Sequence, residues 1–521
     1  MFKTQITIVG GGTAGLITAL VLKIRLDCDV KVLVPSDIGI IGVGEGSTEH
    51  WAEFVKFIGD TLTNSLVKTK GTIKSGIYFN GWTPERGDYI HSLPNEYLKS
   101  AGMTPINFLK FWSEGWTNEE FISTNLKHNM VANMYDFQGG KCETGGWQQF
   151  HFNTVELNNY LTEHALSRGI EIIDDKILEV KQDQNGISEC VGERQNYKAD
   201  IWIDCTGFKK VLISELGAKW ESYEKYLPLK EAIAFPTEEL DYYPIHTEAK
   251  VMKAGWKWQI PTYGRFGNGY IFDTDYITKD EAHQEVNEMF GREIEIAKHI
   301  KFNPGKLDKV CIKNCVAVGL SANFLEPLEA TSIGTSINQA FLLMHMIIDG
   351  KISENDSKKY NKTVNDIMVN SRDFVALHYI NDNRSSEFWK NCARLPRPES
   401  LLNYLDIWKE RPLDELDVDK SRSFTLFKEH NFNYIAYSHG LLTSDVCKKY
   451  LHSINPTIVE RLYNQSYQDS LQYTLNHTSQ KIYHTPHKDY IQQLHKLNGD
   501  HNNIVFQHYY DKKNLEYVKE Q

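Results

Sequence analysis

Residues 4–15 read Thr-Gln-Ile-Thr-Ile-Val-Gly-Gly-Gly-Thr-Ala-Gly, and they set the architecture of the chain. The first six are typical of a buried strand. The glycines that follow form a G-x-G-x-x-G loop, in which two allow a tight turn near a phosphate and the third lets a helix approach the strand. Because a helix N-terminus attracts anions, the loop predicts a dinucleotide pyrophosphate site, the alternative being a plain strand-to-helix turn. Its residues are Gly10, Gly12, Thr13, Ala14 and Gly15.

Later segments extend this loop into a nucleotide-binding sheet. Residues 16–25 repeat apolar side chains at helical spacing, and residues 30–34 read as a second strand, which completes a β-α-β unit. Further along, a predicted helix over 158–167 is followed by predicted strands over 170–173 and 199–204. These strands are expected to join the same sheet.

The end of the second strand lacks an expected side chain. Sheets of this kind carry an acid there, which accepts hydrogen bonds from the adenosine ribose. Here the sequence reads Val34-Pro35-Ser36-Asp37. Ser36 and Asp37 are the candidate substitutes, so the ribose contact stays open while the phosphate site does not depend on it.

The rest of the 521-residue chain predicts a second sheet and a helical end. Between 225 and 275, short aromatic-rich strands alternate with turns, which favours an antiparallel sheet. After residue 356 the apolar spacing is mainly helical. We predict an α/β protein in two parts. Residues 1–355 carry a Rossmann-type nucleotide-binding sheet and the antiparallel sheet, and residues 356–521 form a mainly helical cap on the substrate side.

Composition argues against several classes of function. Asp and Glu outnumber Lys and Arg by 68 to 57, for a net charge of −11, which gives no positive surface for nucleic acid or an anionic membrane. No apolar run reaches the ~20 residues of a membrane-spanning helix. The eight cysteines are scattered, and the nearest pair, Cys311 and Cys315, lacks partners at zinc spacing. We therefore expect no metal site and a cytoplasmic protein.

Two further segments resemble the later flavin contacts of FAD monooxygenases. They are residues 204–208, Asp-Cys-Thr-Gly-Phe, and residues 317–320, Ala-Val-Gly-Leu. The resemblance implies FAD rather than NAD, an FAD-monooxygenase-like fold, and a place for Asp204 and Gly319 near the cofactor. The sequence has no second G-x-G-x-x-G loop for a nicotinamide. Reduced flavin, FADH2, is therefore expected from a separate reductase.

Residues 255–261, Gly-Trp-Lys-Trp-Gln-Ile-Pro, contain W-x-W-x-I-P, and here the sequence resembles the flavin-dependent halogenases, especially the tryptophan-halogenase-like group. In that family the tryptophans lie on the flavin side of a tunnel and discourage ordinary monooxygenation. Period-2 spacing alone would also put two aromatics on one face of a strand. Companion motifs favour the family. The residues concerned are Trp256, Trp258, Ile260 and Pro261.

Two companion motifs precede this strand. Residues 42–48, Gly-Val-Gly-Glu-Gly-Ser-Thr, resemble the family's flavin strap, a mobile loop between the flavin and substrate sites. Residues 71–77, Gly-Thr-Ile-Lys-Ser-Gly-Ile, match the segment with the essential lysine, which implies that Lys74 is catalytic. Its ammonium can hydrogen-bond hypohalous acid, or its neutral amine can form a haloamine, and both stay open. The strap residues expected at the cofactor are Gly44, Glu45, Gly46 and Ser47.

Residues 324–332, Phe-Leu-Glu-Pro-Leu-Glu-Ala-Thr-Ser, resemble the family segment that joins the flavin, halide and substrate sites. Glu329 matches the acidic partner of the lysine, where a carboxylate can orient hypohalous acid and take the ring proton. The alternative is an acid that only interacts with a helix dipole. The resemblance places the halide at the backbone N–H groups of Thr331 and Ser332. Ser332 replaces the family's usual glycine, which favours bromide or iodide over chloride.

The resemblance becomes loose after about residue 390. Residues 431–434, Asn-Phe-Asn-Tyr, lie where free-tryptophan halogenases clamp the amino acid, but Glu429 replaces an aromatic residue just upstream. We therefore expect a small electron-rich aromatic substrate such as an indole or a phenol. The Lys- and Asn-rich composition and the divergent cap favour a viral, cyanophage halogenase. A homo-oligomer is compatible with the sequence.

The predicted function is FADH2- and O2-dependent electrophilic halogenation, with two alternatives. An FAD-dependent monooxygenase that hydroxylates an aromatic substrate would share the fold. A flavin-binding accessory protein with a decayed site would also share it, but decay would not be expected to spare Lys74, Trp256, Trp258 and Glu329 together. The product of the reaction distinguishes the three.

Overall fold

A computed structural model describes residues 3–37, 39, 44–92, 108–117, 130–132, 135–136, 141–142, 149–418, 424–464, 468 and 484–500. Its α-helices are α1 Thr13–Arg25, α2 His50–Phe57, α3 Leu62–Lys68, α4 Phe108–Ser113, α5 Thr154–Ser167, α6 Lys279–Phe290, α7 Thr331–Met344, α8 Glu354–His378, α9 Glu387–Cys392, α10 Glu399–Ile407, α11 Glu415–Val418, α12 Glu429–Ser438, α13 Ser444–Ser453, α14 Pro456–Ile458 and α15 His487–Asp500.

The strands are β1 Thr4–Val9, β2 Cys28–Leu33, β3 Glu45–Gly46, β4 Thr72–Ile73, β5 Gly76–Asn80, β6 Tyr89–Ser92, β7 Met130–Ala132, β8 Tyr135–Asp136, β9 Lys141–Cys142, β10 Phe150–Phe152, β11 Glu171–Ile173, β12 Ile177–Asp183, β13 Gly186–Gly192, β14 Asn196–Tyr197, β15 Ile201–Asp204, β16 Trp220–Ser222, β17 Glu231–Thr237, β18 Thr247–Met252, β19 Gly255–Thr262, β20 Arg265–Phe272, β21 Lys298–Lys301, β22 Gly305–Leu307, β23 Cys311–Ile312, β24 Cys315–Ala317, β25 Asn323–Phe324, β26 Ile347–Ile348, β27 Lys351–Ile352 and β28 His484–Pro486.

A mainly parallel sheet forms the nucleotide-binding side. Its strand order is β11-β2-β1-β15-β24-β23, and only the last pairing is antiparallel. Residues Gly15 to Leu22 of α1 are all buried, because this helix lies between the sheet and helices α5 and α7. The carboxyl ends of the five parallel strands meet at one edge, which is where sheets of this kind bind ligands.

Local sequence explains where the helices begin and end. Helix α5 starts at Thr154, earlier than predicted, because the Asn153 side chain accepts from the Val155 N–H at 3.1 Å and caps it. Helix α7, for which apolar spacing predicts a start near Thr331 and an end beyond His345, begins at Thr331 and ends at Met344. The hairpin β26–β27 follows, and Asp349 and Gly350, with φ of +49° and +69°, form the turn between its two strands.

Two further sheets position the candidate site. A seven-stranded sheet runs β21-β17-β20-β19-β18-β5-β6, with only β18 and β5 parallel, so the W-x-W-x-I-P strand β19 is central. A small sheet of order β3-β10-β4 joins the strap to the strand before Lys74. The predicted α/β class, with a Rossmann-type sheet, an antiparallel sheet and a helical C-terminal part, is confirmed. The division at residue 355 stays a prediction.

Candidate functional site

The glycine loop lies between β1 and α1, at the carboxyl edge of the parallel sheet. Gly10 has φ of +107°, and a Cβ there would lie 2.1 Å from the Cys205 carbonyl oxygen. A Cβ on Gly15 would lie 2.0 Å from the Gly10 carbonyl oxygen, so α1 comes this close only with glycine. A Cβ on Gly12 would meet nothing within 4 Å, and no side chain caps α1. The first-turn N–H groups therefore have room for a phosphate, and the loop fits a dinucleotide.

The other predicted contacts surround this loop. Gly319 has φ of +66°, and a Cβ there would lie 2.5 Å from the Ala14 Cβ, so the turn after β24 packs on the loop. Thr13 accepts a hydrogen bond from Asn158 at 3.2 Å. Asp204 is fully buried and holds its own turn: its carboxylate accepts from the Thr206 N–H and hydroxyl, the Ser321 hydroxyl, and the N–H groups of Leu212 and Ile213.

The open ribose position has a carboxylate nearby that sequence reasoning missed. Asp174 follows β11, the parallel neighbour of β2, and its Oδ1 accepts from the Ser36 N–H at 2.9 Å. Asp37 instead forms an ion pair with Lys176 at 3.1 Å. The side chain of Val34 packs against Gly11. Asp174 is 138 positions from Ser36, and only the pairing of two parallel strands brings them together.

Lys74 is buried beside the strap. It is 2% exposed, and its Nζ donates to the Ser47 carbonyl oxygen at 3.3 Å. A Cβ on Gly46 would lie 3.4 Å from the Lys74 Nζ and 3.2 Å from the Ala330 Cβ. The strap therefore passes between the lysine and the turn that carries Glu329, and larger residues would not fit at Gly46 without displacing one of them.

The electrostatic setting of Lys74 follows from this burial. Desolvation lowers the pKa of Lys74 to about 8, and the negative charges of Glu329 and Glu49 oppose that shift. Burial likewise raises the pKa of Glu45, in the strap, to about 7. The strap residues Gly42 and Val43 lie outside the described residues.

The W-x-W-x-I-P strand lies against both the strap and strand β4, which precedes Lys74. The rings of Trp256 and Trp258 are buried, 6.2 Å apart and inclined by 60°. A Cβ on Gly44 would lie 3.4 Å from a methyl group of Ile260, which shows how closely strap and strand approach. The Pro261 carbonyl oxygen accepts from the Thr72 hydroxyl at 2.7 Å. The motif thus joins elements that are distant in sequence.

A second buried glutamate lies behind the tryptophans. Glu326 accepts from the Trp256 indole at 3.2 Å and from the Tyr379 hydroxyl at 2.6 Å. Burial raises the pKa of Glu326 to about 7, although both donors lower it. This carboxyl fixes the orientation of Trp256.

Glu329 lies between two histidines that sequence reasoning missed. The His91 Nδ1, from β6, is 3.0 Å from both carboxylate oxygens. The His378 Nε2, at the end of α8, is 3.0 Å from Oε1 but not aligned as in a linear hydrogen bond. Burial alone would raise the pKa of Glu329, but the two histidines outweigh it and lower the pKa to about 2. Neither histidine is given a role by the sequence: His91 lies outside the quoted motifs, and His378 lies in residues 372–379, a segment that resembles the family without indicating a function for it.

Hydrogen-bond partners assign the protons of this cluster. The Asn431 amide nitrogen lies 3.3 Å from the His91 Nε2, so that nitrogen accepts and Nδ1–H donates to Glu329. The His378 Nδ1 lies 2.9 Å from the Phe374 carbonyl oxygen and must carry a hydrogen. Its Nε2 and the carboxylate oxygen would repel each other as two acceptors, so a proton lies between them, and the low pKa of Glu329 keeps the carboxylate ionised.

The turn after Glu329 opens a helix with free N–H groups. Ala330 has φ of +54° and is the N-cap of α7, and no side chain bonds to this cap. Thr331 is 5% exposed and Ser332 is exposed. A helix start of this kind fits a halide ion, because unpaired N–H groups and the helix dipole favour negative charge.

Residues 431–434, at the position where free-tryptophan halogenases clamp the amino acid, make contacts in two different places. Asn431 reaches the His91–Glu329 pair, and the Tyr434 hydroxyl donates to the Ile90 carbonyl oxygen at 2.5 Å. Asn433 instead accepts from the Trp408 indole at 2.8 Å, deep between helices. Glu429 is 3.5 Å from its neighbour His430.

Other classes of site are not found where the structure can be described. Within those residues, no group of three or more His, Cys, Asp or Glu side chains could hold a metal ion. No helix among them is long and apolar enough to cross a membrane. The seven cysteines with described side chains are free.

Comparison with known proteins adds family information. Residues 5–454 match the sequence profile of the tryptophan halogenase family. The chain is 30% identical over 451 residues to the tryptophan 6-halogenase SttH of Streptomyces toxytricini, covering 80% of this chain and 85% of that one. It is 27% identical over 436 residues to the tryptophan 7-halogenase RebH of Lentzea aerocolonigenes, covering 78% and 82%.

Solved structures share the fold. The crystal structure of the Streptomyces toxytricini tryptophan 6-halogenase superposes with a TM-score of 0.82 at 24% identity, covering 94% of this chain and 99% of that one. A tryptophan halogenase from Shewanella frigidimarina gives a TM-score of 0.82 at 21% identity, covering 95% and 98%. At these identities the likeness concerns the fold alone.

Proposed function

Because the chain belongs to the tryptophan halogenase family and is a flavin-dependent halogenase, we propose that it halogenates a small electron-rich aromatic such as an indole or a phenol. The observation that carries this proposal is the meeting of Lys74, the strap and the Glu329 turn around Gly46. These are the three elements that the chemistry needs together: a group that holds an oxidised halogen, a link to the flavin and a base.

The cofactor site is proposed at the parallel sheet and the strap. Reduced FAD, delivered by a separate flavin reductase, supplies hypohalous acid from O2 and halide when it is bound. The residues proposed to hold it are Gly10, Gly12, Thr13, Ala14, Gly15, Ser36, Gly44, Glu45, Gly46, Ser47 and Gly319, with Asp204 shaping the adjoining turn and Asp174 adding a carboxylate at the ribose.

Lys74 is proposed to hold the hypohalous acid against the substrate. Burial and the Ser47 carbonyl leave its Nζ few competing partners and fix its direction. Trp256 and Trp258 exclude water and bulky groups from the flavin side, and Ile260 and Pro261 support the strap and strand β4. An oriented donor in a dry site lowers the barrier more than the same donor in water.

Glu329 and His378 are proposed to balance the protons of the substitution. The ring carbon forms a bond to the halogen while the halogen–oxygen bond of HOX breaks, and the proton shared by His378 and Glu329 goes to the departing hydroxide, giving water. The ring C–H bond then gives its electron pair back to the aromatic system, and its proton returns to Glu329. The His378–Glu329 pair thus returns to its initial protonation state.

The identity of the substrate is proposed from the cap. The relatives named above act on tryptophan. In this chain the acidic Glu429 stands where free-tryptophan enzymes have an aromatic residue, and Asn433 is engaged with Trp408. A simple indole or phenol without an amino-acid backbone therefore fits better. Cytoplasmic location, viral origin and a homo-oligomer stay predictions from the sequence.

A reconstituted reaction tests the proposed function. Purified protein, FAD, a flavin reductase, NADH, air and bromide are incubated with a panel of indoles and phenols, with catalase present to remove free peroxide. We expect substrate consumption that requires every component, bromide included. Turnover that continues without any halide would identify the hydroxylating alternative, and no turnover with any halide would favour a decayed site.

Halide preference forms a separate prediction. We expect bromide or iodide to outcompete chloride by roughly tenfold, about 1.4 kcal/mol, when the salts compete in one reaction. The Ser332 hydroxyl changes the lining of the helix start, and larger anions lose less hydration free energy on entering such a site. The measurement is the ratio of halogenated products.

A matched variant isolates the cause of that preference. Ser332→Gly restores the residue usual in the family and should shift the product ratio toward chloride without changing FAD affinity. A wild-type protein that prefers chloride would refute the predicted preference for bromide or iodide.

A further inference from the structure

We propose that His487 is a positioning residue that fixes the end of strand β4, directly before Lys74, so that the C-terminal helix α15 is part of the halogenation site. This inference rests on the proposed role of Lys74. The helix lies after residue 454, where the match to the family ends. No motif in the sequence pointed to it.

Helix α15 is docked on the body of the protein rather than loosely attached. Tyr490, Ile491 and Leu494 are each at most 3% exposed. The ring of His495 stacks on Tyr263 with centroids 3.8 Å apart. The Lys488 ammonium donates to the Leu240 carbonyl oxygen at 2.7 Å. The start of the helix is therefore held at a defined place.

At this position the His487 side chain accepts a hydrogen bond from a backbone N–H of an edge strand. Strand β4 pairs with β10 on one side only, so the Ile73 N–H points away from the sheet. A buried N–H without a partner is costly, and edge strands need such groups covered. The His487 Nε2 accepts from this N–H at 3.1 Å, although the residues are 414 positions apart.

The other ring nitrogen assigns the tautomer and supplies the anchor. The His487 Nδ1 lies 3.2 Å from the carbonyl oxygens of both Tyr243 and Pro244. Carbonyls only accept, so Nδ1 carries the hydrogen and Nε2 keeps the lone pair that Ile73 needs. The side chain is 1% exposed, and this burial lowers the pKa of His487 to about 4. The imidazole is thus a neutral bridge between two backbone segments.

Together with two backbone hydrogen bonds, the His487 bridge fixes the main chain at Lys74 and at the residues on either side of it. The Lys74 N–H donates to the Gln149 carbonyl oxygen at 3.0 Å, and the Ser75 N–H donates to the Ile245 carbonyl oxygen at 2.7 Å. With Ile73 bound to His487, three successive N–H groups are fixed by three different segments. Because the Lys74 side chain extends from this backbone, a shift of the strand moves its Nζ away from the reacting halogen.

The test compares His487→Leu with His487→Gln and with a matched control on the same helix. Leucine removes both hydrogen bonds, while glutamine keeps an acceptor for Ile73 and a donor for the carbonyls. His495→Leu removes the contact with Tyr263 but leaves the Ile73 partner in place, so it reports the cost of weaker helix docking. Thermal unfolding of each variant identifies any general loss of fold.

Two readouts are needed. Hydrogen exchange at the Ile73 amide, by NMR or by mass spectrometry of overlapping peptides, reports the bridge without any reaction. Steady-state halogenation reports positioning, with escaped hypohalous acid trapped by a diketone. For His487→Leu we expect faster Ile73 exchange, a kcat lower by roughly 10- to 100-fold with unchanged KM and FAD affinity, and more trapped acid. His487→Gln should restore most of the rate.

Equal effects of His487→Leu and His495→Leu on Ile73 exchange and on kcat would overturn the proposal, since only helix docking would then matter. Unchanged Ile73 exchange in His487→Leu would also overturn it. A wild-type protein that halogenates nothing would refute the proposed function instead, and the Ile73 exchange would still decide whether the bridge exists.

Discussion

Replacement of Lys74 by alanine should lower the rate of halogenated product formation by roughly 10³-fold or more while most of the FAD affinity is kept. Loss of one directed donor at a reacting atom costs roughly 10²- to 10³-fold in a dry site, and this variant also loses the group proposed to hold the hypohalous acid. Lys74 contacts the strap through the Ser47 carbonyl oxygen only by its side chain, and the glycine loop that holds the pyrophosphate is left intact, so we expect most of the flavin affinity to be kept. The measurements are product formation by mass spectrometry and FAD binding by fluorescence quenching.

The control for this variant is another lysine of the same region. Lys68 is half exposed and forms an ion pair with Glu163 at 3.1 Å, so Lys68→Ala should leave the rate unchanged. Normal halogenation by Lys74→Ala would show that the lysine assignment is wrong.

The pH profile of the wild-type rate distinguishes the two forms of Lys74. Burial lowers its pKa to about 8, so the ammonium predominates below that pH and the neutral amine above it. The Ser47 carbonyl and the nearby carboxylates favour the ammonium, and we therefore expect the rate to fall as the pH rises through about 8. A rate that rises there would favour the haloamine.

Replacement of Glu329 by glutamine is expected to have the second largest effect, a loss of roughly 10²- to 10³-fold in kcat. The amide keeps the shape but cannot take the ring proton. It also leaves His91 and His378 without the carboxylate between them. Rapid-quench measurement of product formation with preformed hypohalous acid would isolate this step from the flavin reaction.

Glu326→Gln is the matched control for Glu329. This glutamate belongs to the same segment and is equally buried, but it contacts Tyr379 and Trp256 rather than the histidines. Glutamine can still accept from both donors, so we expect a rate close to that of the wild type. An equal loss in both variants would mean that burial of the segment, rather than the Glu329 carboxylate, sets the rate.

Glu329 also predicts how stability depends on pH. Its pKa falls from an ordinary 4.5 to about 2 in the folded chain, so its ionised form stabilises the fold fully above pH 4.5. This contribution is lost as the pH falls from 4.5 to about 2, because the unfolded chain then binds a proton first. Between these pH values, the melting temperature should fall more steeply with decreasing pH in the wild type than in Glu329→Gln.

The sequence predicted the elements in which local pattern and packing agree. The strand before Gly10 and the helix after it follow from apolar spacing and glycine placement alone. Lys74 and Glu329 came only from family resemblance, because an isolated lysine or glutamate has no local signature. In the structure, the neighbours of Gly46 are Lys74 and Ala330, the residue that follows Glu329.

What sequence reasoning missed depends on contacts between distant segments. His91, His378 and His487 have no local signature, and each acquires its role from a partner in a different segment of the chain. Asp174 was not predicted because a ribose acid is expected at the end of β2, whereas this carboxylate follows the neighbouring strand β11. Such groups become visible only when strand pairing is known.

Transfer of a halogen to an aromatic ring is read directly from the mass of the product. An indole or phenol is incubated with the protein, FAD, a flavin reductase, NADH and bromide, and the product is analysed by mass spectrometry. We predict a doublet of nearly equal peaks from the two bromine isotopes, absent in Lys74→Ala. A product that gains an oxygen atom and no bromine would show that the protein hydroxylates its substrate instead of halogenating it.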